Sequence, residues 1–270
     1  MRPNLGDATK VPQPKTDNFG VTLGNQLIAG LPKDECIALT ANIERIHIKR
    51  GEVLREPDEE IRLVYFIESG IASILSVMSD GKSVEVGVVG NEGLVGLPIV
   101  AGIDRSPHRA VMQVDGFAGR LKADALREIL RECPYLDRAL QRHTHSFCMQ
   151  VMQISACNRL HEVEQRMARW LLMCQDRMGG HVLALTQETI AQMLGSRRSS
   201  VTVAAGQLRS AGLIDVSRGM VVIRDRGGLQ RAACECYATI LKIYDRAKQN
   251  SIVSTPAHRQ ISLSRVYSRK

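Results

Sequence analysis

The sequence holds no run of about eighteen apolar residues, the length a helix needs to cross a bilayer. Its first stretch, Met1–Gly20, also lacks the roughly 7–15 consecutive apolar residues of a secretory signal; prolines and charges stand there instead. The expectation is a cytoplasmic protein with no membrane partner. Seven cysteines, an odd number, are scattered from Cys36 to Cys236. In a chain without an export signal they argue against structural disulfides. No glycine-rich phosphate loop is present, no zinc-type Cys/His spacing on one helix face, and no paired carboxylates in a strand–helix context. No enzyme is expected, and no cofactor, metal ligand or catalytic residue is assigned.

Acidic residues are scarce in one half only. Residues 1–160 carry 19 Lys and Arg against 20 Asp and Glu, a net of −1; residues 161–270 carry 17 against 8, a net of +9, and the two sum to +8. A neutral first part and a basic second part suit one domain that meets a polyanion. At 270 residues, 44% hydrophobic and 24% charged, the chain has an ordinary globular composition and length for two domains.

From Ile43 to Leu121 short apolar runs alternate with glycines: Arg45–Ile48, Leu63–Ile67, Ile71–Val77, Val84–Val89, Arg109–Val114 and Phe117–Leu121. Asp80-Gly81-Lys82 is a hairpin signal, because Asp-Gly suits a tight turn with positive φ. Strands at this spacing predict an antiparallel roll, barrel or sandwich. Ala123–Arg131 reads as a short helix. After Cys133-Pro134 no Gly or Pro occurs until Met178. Leu136, Leu140, His143, Phe147, Val151 and Ile154 step by four and three, a seam one helix can bury against another. Such a seam packs either on the chain's own β-roll or against a partner copy; because a long helix offers more apolar length than a small roll can cover, Leu140, His143, Phe147, Val151 and Ile154 are expected at a homodimer interface. A break near Asn158–Glu162 precedes a second helix, Val163–Arg177.

The basic half holds the strongest motif. Thr186 is a good N-cap for a short helix with Ile190, Met193 and Leu194 inward, Gly195 supplies the turn, and Ser196 is expected to cap a second helix with Val201, Ala205 and Leu208 inward. Two short helices across a glycine turn match the helix-turn-helix of DNA readers. Leu213–Val216, the turn Ser217-Arg218-Gly219 and Met220–Ile223 form a wing. The expected DNA contacts are Thr186, Arg197, Arg198, Ser199, Ser200, Thr202, Val203 and Arg218. Arginine forks onto guanine, Ser and Thr reach bases or phosphates, and Val203 meets a thymine methyl. Cys234 and Cys236 fall in a segment, Leu229–Gln249, that reads as one helix; two residues apart they diverge by about 200° and are expected to pack rather than pair. His143 and His145 fail as a metal pair for the same reason.

This order of parts resembles the Crp/Fnr family of bacterial transcription regulators, most specifically over Leu185–Ile214 and at Glu164-Gln165-Arg166-Met167-Ala168-Arg169-Trp170-Leu171-Leu172. The resemblance implies an α+β fold: an N-terminal antiparallel β-roll of the cyclic-nucleotide-binding type, a long dimerisation helix and a C-terminal winged helix-turn-helix. The divisions expected are 1–22, a flexible arm; 23–132, the sensor roll; 133–160, the dimerisation helix; 161–250, the DNA-binding domain; and 251–270, a basic tail. It further implies a homodimer on near-palindromic double-stranded DNA, with RNA polymerase a candidate partner.

The sequence departs from the family's patterns at two places. Where members read DNA through Arg-Glu-x-x-x-Arg, this chain has Arg198, Ser199 and Val203, so its target differs. Where cyclic-nucleotide members place Gly-Glu-Leu and Arg-Ser or Arg-Thr, this chain has Gly96-Leu97-Pro98 and either Arg105-Ser106 or His108-Arg109-Ala110. Gly96, Leu97, Arg105, Ser106, His108 and Arg109 are thus the candidate effector pocket. Leucine cannot accept a ribose hydroxyl, which costs about 1–3 kcal/mol and argues against cyclic AMP; the small-molecule effector is unknown. A rival reading is a signalling module whose roll binds a small molecule or protein while the basic half docks a partner without reading sequence.

Overall fold

The computed structural model describes residues 24–217 and 219–253. The arm at 1–22 and the tail beyond Val253 lie outside the described residues, as does Arg218. Helices α1 (Gln26–Ala29) and α2 (Lys33–Thr40) precede eight strands: β1 (Glu44–Ile48), β2 (Val53–Arg55), β3 (Leu63–Ile67), β4 (Ile71–Val77), β5 (Ser83–Val89), β6 (Leu94–Val95), β7 (His108–Val114) and β8 (Gly116–Lys122). They pair antiparallel in two four-stranded sheets, ordered β1-β8-β3-β6 and β2-β7-β4-β5. Alternate side chains point inward: Ile48, Ile67 and Ala118 of one sheet meet Ala72, Val89, Ala110 and Met112 of the other. Gly81, at φ +82°, makes the expected β4–β5 turn. The sequence reading missed β2, β6 and a 3-10 helix at Leu97–Ala101, all too short to show a period.

Helix α3 (Ala123–Glu132) leads to α4 (Pro134–Leu160), 27 residues long. Pro134 sits in the first turn, where no N–H is needed. The Glu35 carboxylate of α2 accepts from the backbone N–H groups of Tyr135 (3.1 Å) and Leu136 (2.8 Å), satisfying two donors the helix start leaves open. The break falls at His161-Glu162, where Glu162 and Gln165 form a capping box for α5 (Val163–Met178).

The seam on α4 is covered within the chain. Leu140 joins the core under α1–α3, Ile154 joins the core of the C-terminal half, and His143 is buried; Phe147 and Val151 are half-buried. The Phe147 ring fills the space at Gly87 on β5, where a Cβ would meet Cζ at 2.4 Å. Leu140, His143 and Ile154 are therefore taken up inside the protomer, which corrects them as dimer contacts, and Phe147 packs on the protomer's own roll. The outer face of α4 instead exposes Gln141, His145, Cys148 and Met152, the last at 59%.

The C-terminal half contains β9 (Val182–Leu183), α6 (Gln187–Leu194), α7 (Arg198–Ser210), β10 (Ile214–Ser217), β11 (Met220–Ile223), α8 (Arg226–Ala232) and α9 (Cys236–Val253). The wing is a three-stranded sheet ordered β10-β11-β9. The single helix expected over Leu229–Gln249 is broken at Ala233–Glu235, because α8 ends with Ala233 in extended backbone. Cys234 thus stands outside both helices, and the angle argument that separated it from Cys236 does not apply. Among the described residues no helix is long and apolar enough to cross a membrane.

Candidate nucleic-acid interface

Thr186 caps α6 as expected: its hydroxyl oxygen accepts from the Thr189 backbone N–H at 3.1 Å. Ile190, Met193 and Leu194 are buried beneath. The chain turns at Gly195, φ +57°, where a Cβ would meet Val84 Cγ2 of the roll at 2.8 Å. Only glycine gives both the left-handed backbone and the close approach. Ser196 is not the cap of α7: its hydroxyl donates to the Leu194 carbonyl at 3.3 Å, and Arg197 is the N-cap, with no side-chain cap bond. Arg197 therefore precedes the helix, and Arg198 opens it.

Helix α7 buries Val201, Ala204, Ala205 and Leu208 against α5 and α6. Its other face exposes Arg198, Ser199, Thr202 and Val203, with Ser200 at the boundary. Val203 is 61% exposed, which nothing in the protomer's own packing calls for. Thr202 Oγ1 lies 2.9 Å from Gln187 Oε1 and 3.0 Å from the Arg198 carbonyl. Arg198 Nε stands 3.9 Å from Glu188, a solvent-exposed pair that holds the guanidinium weakly. Six expected contact residues, Arg197 to Ser200 with Thr202 and Val203, thus share one end of one helix, and Thr186 stands at the start of the helix before it.

The candidate effector residues divide into two groups. Gly96 (φ +113°) opens the 3-10 helix, and Leu97 packs into the apolar core beneath α1–α3, offering no acceptor. Arg105, Ser106, His108 and Arg109 gather at the start of β7. Arg105 Nη1 donates to the Asp58 carbonyl at 2.7 Å, Ser106 Oγ lies 3.5 Å from His108 Nδ1, and Arg109 Nε pairs with Glu56 at 2.8 Å. The residue that the sequence reading missed is Arg55 on β2. It is buried; Nη2 donates to the His108 carbonyl at 3.2 Å, while Nε and Nη1 have no partner. Burial lowers its pKa, with Glu59 acting in the opposite direction. Two buried N–H donors without partners on a cation cost free energy that an anion would return. No sequence signal marks Arg55 as buried, since β2 is only three residues long.

The roll and the reading head meet directly. Trp170 Nε1 donates to buried Glu85 Oε1 at 2.7 Å, Arg177 pairs with Glu92 at 2.6 Å, and Gln192 Nε2 donates to Ser83 Oγ at 2.8 Å. Arg50 reaches the Ala184 carbonyl and Thr189 Oγ1, each at 2.9 Å.

Two family models match the chain: a cyclic nucleotide-binding domain over residues 45–133 and a Crp-like helix-turn-helix domain over residues 165–232. The transcriptional regulator LdrP of Thermus thermophilus is 28% identical over 198 residues, which cover 68% of this chain and 94% of that protein. A CRP-like cAMP-activated global transcriptional regulator of Mycobacterium tuberculosis is 25% identical over 214 residues, covering 77% and 96%. Among solved structures, FixK2 of Bradyrhizobium japonicum aligns with a TM-score of 0.62 at 19% identity, covering 71% of this chain and 98% of that one. The c-di-GMP responsive regulator CLP of Xanthomonas campestris aligns at 0.60 and 15%, covering 72% and 100%. These structural likenesses concern the fold.

Proposed function

The chain belongs to the Crp/Fnr family of DNA-binding transcriptional regulators, and on that premise we propose that it acts in the cytoplasm as a homodimer on a near-palindromic site. One α7 from each copy enters successive major grooves about 34–36 Å apart. The observation that carries this reading is the exposed row Arg198, Ser199, Thr202 and Val203 on α7, opposite a fully buried face, in the basic half of the chain. Arg198 forks onto a guanine, Ser199, Ser200 and Thr202 meet base edges or phosphates, and Val203 contacts a thymine methyl. Thr186, Arg197 and the wing residue Arg218 hold phosphates and set the register. The protein regulates transcription and is not an enzyme.

The second copy lies on the outer face of α4, along His145, Cys148 and Met152. RNA polymerase is a further partner for a regulator of this class. The effector is an anion other than cyclic AMP, seated by Arg55 beside Ser106, His108 and Arg109, because Leu97 supplies no acceptor for a ribose hydroxyl. Selection from random duplex DNA at about 0.15 M salt tests the reading. A two-fold symmetric enriched site supports a dimeric sequence reader; uniform weak binding, with and without added anions, favours the rival signalling module.

A further inference from the structure

We propose that Cys157, His161, Cys234 and Cys236 bind one zinc ion, which fastens the far end of the winged domain to the end of α4. Each residue offers one donor atom, and the four atoms lie within 4.8 Å of one another. The sulfurs of Cys157 and Cys234 are 3.4 Å apart, and Cys236 Sγ is 3.7 Å from His161 Nδ1. A disulfide needs about 2.05 Å. Tetrahedral zinc with bonds of about 2.3 Å to sulfur has sulfur–sulfur edges of about 3.8 Å, close to what this cluster already spans. Three thiolates and an imidazole are a donor set that selects zinc over oxygen-seeking cations.

The surroundings fit a metal better than they fit packing. His161 Nε2 lies 3.1 Å from the Glu235 carboxylate, so a ring that donates there presents its Nδ1, 3.7 Å from Cys236 Sγ, as the metal-facing nitrogen. A carboxylate behind a ligand histidine is the usual outer partner of bound zinc. Gln153 Nε2 donates to Cys236 Sγ at 3.0 Å, a bond that steadies a thiolate. Three thiolates and a divalent cation leave a net charge of −1. Arg166 and Arg169, both buried and each with an unpartnered Nε, lie within electrostatic reach of Cys157 to balance it.

The site forms because the chain breaks where it does. Cys157 stands on the last turn of α4 and His161 caps that helix; Cys234 lies in the break after α8, and Cys236 starts α9. All four fall outside the stretches matched by the two family models, 45–133 and 165–232. The residues enclosed between Cys157 and Cys234, 77 apart in sequence, include α5 to α8 and so the whole helix-turn-helix. Metal bound there adds its binding free energy to the folding and seating of the reading head.

The test begins with the full chain purified under reducing conditions without chelator. The expected results are one zinc per chain by atomic emission and, after exchange with cobalt(II), the intense visible bands of a tetrahedral thiolate site. Cys148→Ser, on the exposed face of α4, keeps the metal; the Cys234→Ser, Cys236→Ser double variant loses it. Because loss of two ligands can also unfold the winged domain, Glu235→Gln provides a milder probe. It keeps every ligand and weakens zinc affinity about 10–100-fold in competition with a chromophoric chelator. A metal-free protein with only an octahedral cobalt spectrum overturns the proposal. So does iron with acid-labile sulfide in place of zinc, or a Cys157–Cys234 disulfide in the peptide map.

Discussion

Glu85 sits on β5 with no solvent around it, one carboxylate oxygen taking the Trp170 N–H and the other the Ser73 hydroxyl at 2.6 Å. Burial raises its pKa from 4.5 to about 7, against the opposing pull of those two hydrogen bonds and of Arg169 and Arg177. The folded protein therefore holds a proton that the unfolded chain releases. Stability from this group is full below about pH 4.5 and is lost as pH rises through about 7, on the order of 3 kcal/mol in all. Thermal midpoints from pH 5 to 8 should fall more steeply for the native protein than for Glu85→Gln; equal slopes would contradict the assignment. Arg55 makes the opposite case, a buried cation with two N–H donors, Nε and Nη1, left without a hydrogen-bond partner. Arg55→Met should leave the thermal midpoint of the ligand-free protein unchanged or raised, since it removes a buried cation and two buried N–H donors that have no partner. Added phosphate should stabilise the native protein and not the variant. A large loss of stability in Arg55→Met would show that the guanidinium already has its partner.

Helix α4 packs one face within the protomer and exposes the other, and substitutions on each separate the two. Phe147 fills the hollow at Gly87, so Phe147→Glu places a charge against the roll and should cost several kcal/mol, read as a lowered midpoint in urea. Met152→Glu, on the outer face, should leave folding intact and yield monomers by sedimentation. A dimer surviving Met152→Glu would move the contact elsewhere. Periodicity made α4 and its seam legible in the sequence, but a seam states only that a face is covered, not by what. Strands β3 and β4 were readable to the residue because each is an apolar run of five or seven residues, the two parted by Gly70; β2 and β6, at three and two residues, carry no period to read. The helix-turn-helix was legible through Thr186, Gly195 and the buried spacing on α7. The α8–α9 break was not, since Ala233–Glu235 contains neither Gly nor Pro, and with it went the grouping of Cys157, His161, Cys234 and Cys236.

At the scale of the molecule, sensor and reading head share one core: Ile71, Leu75 and Val88 of the roll pack in the same apolar cluster as Trp170, Leu171 and Leu194. A contiguous path of paired backbone joins the two sites. His108 and Arg109 of β7 stand opposite Ser76 and Leu75 of β4, which in turn face Val84 and Glu85 of β5. Glu85 holds Trp170 of α5, and Val84 lies against Gly195 in the turn before α7. An anion bound at Arg55, as proposed, would stand at one end of this packed route, with the turn before α7 at the other. The central claim is that Arg198 reads a base at that helix's start. It is tested most directly by measuring native and Arg198→Ala binding, at about 0.15 M salt, to every single-base variant of the selected duplex. A loss of about 1–3 kcal/mol is expected on the best site, with relaxed preference at one symmetric position per half-site. An equal loss on every duplex, with all preferences kept, would make Arg198 a phosphate contact and contradict it.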